Sequence, residues 1–146
     1  VTWKVGGNTY ANIYSKIPSV AYTNEITNPD ATNSTDNATT YSAKIGLMYV
    51  SDYGFAASPS AWTLTMGSYD NTTATSTNWM YLGSIEWTIT PRSSYSGYVF
   101  SLYSRGQLYY ISASGGCGSR PVLYLKASVL FAGGEGTKDS PITLVV

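Results

Sequence analysis

Glu86 beside Trp87, Cys117 three residues ahead of Arg120, and the single acids Asp52, Asp70 and Asp139 are the residues to weigh first for chemistry. A carboxyl among apolar neighbours can hold its proton and act as a general acid, but it needs a second group to work against. Glu86 has no convincing acidic partner in sequence, and a solvated or strand-edge glutamate is the simpler reading. Histidine is absent altogether, which removes the usual base for activating a nucleophile. Cys117 has only Arg120 nearby to favour a thiolate and no second thiol, so it reads as a plain thiol. Metal ligation needs carboxylates at loop spacing or Cys/His clusters, and these acids stand alone. The expectation is no catalytic residue, no metal and no cofactor: not an enzyme.

The positive signal is residues 92–119. Eight Ser, five Tyr and five Gly fill 18 of those 28 positions, with two of the three arginines, Arg92 and Arg105, and no Lys, Asp or Glu. Tyr supplies rigid amphipathic contact area at low entropy cost, and Ser and Gly add adaptable hydrogen bonding and close backbone approach. Arg is likewise enriched where surfaces bind. An ordinary solvated hairpin protects its edges with charge, and this one does not. The stretch is predicted to face a ligand; the plain alternative is a low-complexity Tyr/Ser surface that binds nothing.

The elements that must hold this stretch are mostly strands. Val99, Ser101 and Tyr103 alternate with Phe100, Leu102 and Ser104, Arg105-Gly106 turns the chain, and Gln107 to Ile111 returns, which predicts a hairpin. Lys44 to Val50 predicts a central strand and Arg120 to Leu125 another apolar strand, with Pro121 at a strand start. Gly133 to Gly136 predicts a turn after which Ile142 to Val145 closes the sheet. Gly6-Gly7-Asn8 predicts a hairpin turn between 2–5 and 11–14. Residues 10–17 fit a short helix, or Ser19 to Tyr22 extends the sheet. Ser58-Pro59 predicts the start of a helical turn. Residues 28–40 and 67–77 predict polar loops, and Trp79 and Trp87 are expected to be core pillars. The sequons at Asn33, Asn37 and Asn71 are of the kind that chance produces in so Asn- and Thr-rich a chain.

At 146 residues the chain fits one domain, 1–146. Charged residues make up 11%, against a typical ~25%, and cations and anions balance at eight each. No basic patch points to nucleic acid or to an acidic membrane. One cysteine forbids an intrachain disulfide. No apolar run approaches the ~18 residues that span a bilayer, so no membrane insertion by this segment is expected. The polar load carried by Ser, Thr, Asn and Tyr suits an extracellular, cell-surface setting. The start at Val1 inside a strand-like segment predicts a soluble piece of a longer protein.

Trp87-Thr88-Ile89-Thr90, then Ser93, Ser96, Val99-Phe100, Leu102, Ser104, Gly106 and Leu108, ending in Ser119-Arg120-Pro121-Val122, resembles the carboxy-terminal pattern of diversity-generating-retroelement variable proteins. Lys44 to Asp52, Asn78-Trp79-Met80-Tyr81 and the tail from Gly133 to Leu144 further resemble pilin-like gut-bacterial surface proteins. The likeness covers about residues 44–146. It implies an α+β, mostly β, C-type-lectin-like fold with long polar loops, of the formylglycine-generating-enzyme subtype. It also implies a hypervariable region at about 92–119, because copying errors at template adenines turn Asn codons into Tyr, Ser, Gly, Arg, Cys or Ile. By that rule Arg92, Ser94, Tyr95, Gly97, Tyr98, Ser101, Tyr103, Arg105, Tyr109, Tyr110, Ser112, Ser114 and Cys117 are the candidate ligand-binding residues. Gly115, Gly116, Gly118 and Ile111 fit the same rule, and Val99, Phe100, Leu102, Leu108 and Ala113 are the fixed scaffold. One cysteine cannot supply the pair that formylglycine generation needs, and the calcium-and-sugar motifs of true C-type lectins are missing. The expected partner is a protein or glycan bound in adhesion, with filament subunits as the alternative if the domain builds or tips a pilus.

Overall fold

The computed structural model describes residues 1–5, 16–27, 40–70, 72–92 and 97–146. Along the chain run β1 (Thr2–Lys4), α1 (Pro18–Tyr22) with a π-helical extension Thr23–Thr27, β2 (Thr40–Ser42), β3 (Gly46–Leu47) and α2 (Val50–Phe55). Two 3-10 turns, Pro59–Ala61 and Met66–Ser68, and α3 (Thr73–Ser76) follow. Then come β4 (Glu86–Pro91), β5 (Tyr98–Leu102), β6 (Leu108–Ser112), β7 (Pro121–Val122), β8 (Leu130–Gly133) and β9 (Thr143–Val145). Strand residues outnumber helical ones, and the strands form four small antiparallel sheets: β1-β2, β3-β7, β4-β5-β6 and β8-β9.

The predicted hairpin is present, with Tyr98 opposite Ser112, Phe100 opposite Tyr110 and Leu102 opposite Leu108. Alternation sends Phe100, Leu102 and Leu108 into the core, where they meet Met48, Val50, Tyr53, Met66, Tyr69 and Met80. The two buried tyrosines keep their hydroxyls bonded: Tyr53 donates to the Gly106 carbonyl at 2.7 Å and Tyr69 to the Gly54 carbonyl at 3.1 Å. Ser58-Pro59 opens a 3-10 turn, as its sequence predicts.

β4 has the reverse of the expected polarity. Glu86, Thr88 and Thr90 face inward while Trp87 and Ile89 are half-buried. Each inward polar group has a partner, which is what makes the arrangement tolerable. Glu86 accepts from Arg120, Thr88 donates to the Phe100 carbonyl at 2.7 Å, and Thr90 donates to Glu25. Glu25 is itself buried and also accepts from the backbone N–H of Val50 (3.1 Å) and Ser51 (3.0 Å), at the start of α2. Burial pushes its pKa from 4.5 up to about 7, against the lowering effect of these hydrogen bonds.

Several expectations are corrected. Residues 44–50 are not one central strand: only Gly46–Leu47 pair, and at Val50 the chain turns into α2 because Glu25 takes the N–H groups a strand would have offered a neighbour. Arg120 to Leu125 pairs only at Pro121–Val122, and Leu123 to Leu125 are exposed. β9 closes no larger sheet and pairs with β8 alone. Ser19 to Tyr22 are helical, not strand. Within the polar stretch 67–77, α3 buries Ala74. Thr40 is in β2, which pairs with β1; the turn at 6–8, the segment 11–14, residues 28–39 and the sequon asparagines Asn33, Asn37 and Asn71 lie outside the described residues. Trp79 is 78% exposed rather than a core pillar, and Trp87 stands half-buried on the outer side of β4.

Two predictions follow from the core. Phe100→Ala should cost about 3–5 kcal/mol through the cavity it leaves, and Trp87→Ala clearly less, as read by urea unfolding. Equal losses would mean that Trp87 carries core packing. For Glu25, the fold holds the proton up to about 7 and the unfolded chain only to about 4.5. The folded state therefore binds more protons across that window, and its contribution to stability is full below about 4.5 and lost as pH rises through about 7. Glu25→Gln should be less stable throughout, for want of an acceptor, and should lack that slope; matching pH profiles for the two proteins would contradict the assignment.

Candidate ligand-binding face

The hairpin turn is tied down at several points. Gly106 donates to the Tyr103 carbonyl at 2.8 Å, with φ at 92°, and Tyr103 donates to the Gln107 carbonyl at 2.9 Å. Tyr53 bonds the Gly106 carbonyl from beneath, Tyr81 donates to the Ser104 carbonyl at 2.8 Å, and Arg105 Nε lies 2.8 Å from Asp70 Oδ1. A Cβ on Gly106 would meet the Thr75 side chain at 2.5 Å.

On this anchored hairpin stand four tyrosines in continuous contact. Tyr103 meets Tyr109 edge-on at 5.5 Å, Tyr109 stacks on Tyr110 at 4.5 Å and 14°, and Tyr110 meets Tyr98 edge-on at 5.8 Å. The Arg92 guanidinium sits 3.8 Å from the centre of the Tyr110 ring, a cation–π contact. Successive strand residues normally point to opposite faces, so the stacking of Tyr109 on Tyr110 requires both rings to lean over the edge of β6, the outer strand of its sheet. Hydrogen bonding to Tyr109 and Arg92 lowers the Tyr110 pKa below the ordinary phenol value. Tyr98 and Tyr109 are exposed, Tyr103 is half-buried, and Tyr110 is half-buried with its ring packed against the core, so the open part of the array is chiefly Tyr98 and Tyr109.

The candidate residues divide accordingly. Arg92, Tyr98, Tyr103, Tyr109 and Tyr110 come together; Gly97 is exposed with open space about it, at φ 86°. Ser112, the last residue of β6, and Ser114 join hydroxyls at 2.8 Å. Arg105 is held in its ion pair with Asp70, at the other end of the hairpin from Tyr98. Cys117 is half-buried, and desolvation raises its thiol pKa, which disfavours the thiolate. Ser101 is a correction: it is fully buried and cannot touch a ligand, because it lies in the middle strand between Trp87 and Tyr109, its cross-strand neighbours. Arg92 is also mostly buried, beneath its contact with Tyr110, so it supports the array more than it reaches outward. Ser94 and Tyr95 lie outside the described residues.

Glu86, the most tempting acid in the sequence, is committed to Arg120 and to the Ser84 hydroxyl at 2.9 Å. Among the described residues, no three Cys, Asp or Glu side chains gather into a metal site. No helix among them is long and apolar enough to cross a membrane.

A larger concavity lies elsewhere. A groove of about 760 Å³ runs between α1, α2, Trp79-Met80 and residues 120–124, and shares no residue with the tyrosine array. Two of its lining rings, Tyr22 and Phe55, meet edge to face at 6.5 Å, and Phe55 meets Trp62 outside the groove in the same way at 5.2 Å. Sequence reading missed it: an apolar residue looks the same in sequence whether it meets its own core or stays open, and only the unbroken run Val122 to Leu125 hinted at excess apolar surface. Comparison with known proteins returned no matching family model, no matching curated protein and no matching solved structure.

Gly106→Ala should loosen the array without touching it. The positive φ and the Thr75 contact together should lower stability by roughly 1–3 kcal/mol. Faster hydrogen exchange confined to residues 98–112 would show that the turn is the anchor, and uniform exchange across the chain would show that it is not.

Proposed function

We propose that this chain is a non-catalytic ligand-binding or adhesion domain, displayed outside the cell, whose binding face is the tyrosine array on β5 and β6. The observation that carries the reading is the continuous chain Tyr98–Tyr110–Tyr109–Tyr103 braced by Arg92 on a hairpin whose turn is held from three sides. Rings that already pack on one another lose little freedom when a partner covers them, and their hydroxyls give directional contacts to protein or glycan. Inward Phe100, Leu102 and Leu108 and exposed Tyr98 and Tyr109 fit the scaffold-and-variable pattern that the resemblance implies, whereas buried Ser101 and exposed Ala113 do not. A C-type-lectin-like fold and membership among retroelement variable proteins belong to this proposal. The competing proposal, a filament contact through residues 92–119, has less to stand on, since the large exposed apolar side chains concentrate in residues 123–146.

The experiment is a glycan-array and cell-surface binding screen with the wild-type chain and with Tyr103→Ala/Tyr109→Ala, which leaves the core-packed Tyr110 in place. Binding should fall by at least about tenfold in the variant, with the melting temperature nearly unchanged. Undiminished binding in the variant would refute the assignment of the face. Sibling copies of the gene that vary as freely at Leu102 as at Tyr103 would refute the diversified-surface part.

A further inference from the structure

β8 and β9 form a hairpin with large apolar side chains on both faces. Cross-strand partners share a face, so Leu130 with Val145 marks one side and Phe131 with Leu144 the other. All four are wet, at 62%, 46%, 66% and 44% exposure. A two-stranded hairpin alone is marginally stable in water, and neither strand has another partner among the described residues. The strands carry no charge; Glu135, Lys138 and Asp139 are confined to the loop joining them. Exposed sheet edges are normally guarded by charge or proline, and these are not.

The same chain carries a complementary concavity. The groove presents Tyr22, Phe55, Trp79, Met80, Leu123 and Tyr124. Its charged groups are already engaged, Asp52 accepting from the Tyr49 N–H at 2.8 Å and Arg120 paired with Glu86, so it offers little to a charged ligand and much to an uncharged strand. The hairpin is rooted in the groove's own wall: residues 120–124 line it, and a turn closed by Val129 N–H to the Lys126 carbonyl at 3.0 Å leads straight into β8. No hairpin residue lines the groove, so among the described residues the hairpin and the groove do not cover each other.

We propose that the β8–β9 hairpin of one copy docks in the Tyr22–Phe55–Trp79–Tyr124 groove of a second copy. Because hairpin and groove adjoin, two copies can exchange hairpins reciprocally around a twofold axis, which closes the assembly and buries both surfaces twice. The charged hairpin tip stays at the rim. The tyrosine array takes no part in this contact, so each copy retains its binding face and a dimer would engage a surface with two of them.

Sedimentation of the wild-type chain over a concentration series, beside Trp79→Ser (groove) and Phe131→Ser/Leu144→Ser (hairpin), tests this. All three positions are exposed, so circular dichroism should show unchanged folding. The wild type should dimerise with concentration, and each variant should weaken dimerisation by roughly tenfold or more. An equal mixture of the two variants should associate better than either alone, because one copy still offers an intact hairpin and the other an intact groove. A wild type monomeric at every concentration, including one whose hairpin closes into its own groove, overturns the proposal; so does association unaffected by the hairpin substitutions, or a mixture no better than its components. The Tyr103/Tyr109 variant should dimerise like the wild type, which separates this result from the fate of the binding face.

Discussion

The Glu25 carboxyl joins three segments that lie far apart in sequence: the end of the first helical stretch, the start of α2 and the inward side of β4. The first N–H groups of a helix have no partner within it, and a buried carboxyl is a strong acceptor for them. Thr90 binds the same group from β4, so helix and sheet are fixed relative to one another through one side chain. The cost is a carboxyl held without water, which shows in its raised pKa. A pKa near neutrality often marks an acid–base catalyst; the groups bonded to this carboxyl are the Thr90 hydroxyl and the Val50 and Ser51 N–H groups, and the groove is lined by Asp52 and not by Glu25.

With β4 placed in this way, the rest of its sheet follows. Thr88 takes up the Phe100 carbonyl, and β5 then carries Phe100 and Leu102 into the core. The buried hydroxyl of Tyr53 reaches the far end of the hairpin and holds the turn at Gly106. A face of tyrosines can be displayed in a defined arrangement only if its support does not move, and the support here is polar contacts at the turn together with apolar packing at the strands.

Aromatic surface is left open at two separate places, and they differ in kind. The array on β5 and β6 mixes ring edges with hydroxyls and includes a guanidinium, as suits contacts that remain partly wet. The groove and the C-terminal strands are largely apolar, the groove's charges being engaged and the hairpin's confined to its loop. Surfaces of the first kind suit a changeable or transient ligand, and surfaces of the second suit a permanent cover.

The sequence by itself determined the local pieces whose signal is local. The alternation of Val99 to Ser104 and the Arg105-Gly106 turn specified the hairpin, because side-chain period and turn chemistry act over a few residues. The concentration of Tyr, Ser and Gly there marked the candidate face for the same reason. Tertiary structure alone decided the rest. Lys44 to Val50 read as a strand because its apolar residues fit one, and it bends into α2 because a glutamate 25 positions away takes its N–H groups. Trp79 read as core and Leu123 to Leu125 as part of an apolar strand, although hydrophobicity records only that a side chain avoids water and not which surface will cover it. Ser101 read as a contact residue and is sealed between Trp87 and Tyr109, since burial on a middle strand depends on neighbours that pairing, not proximity in sequence, supplies.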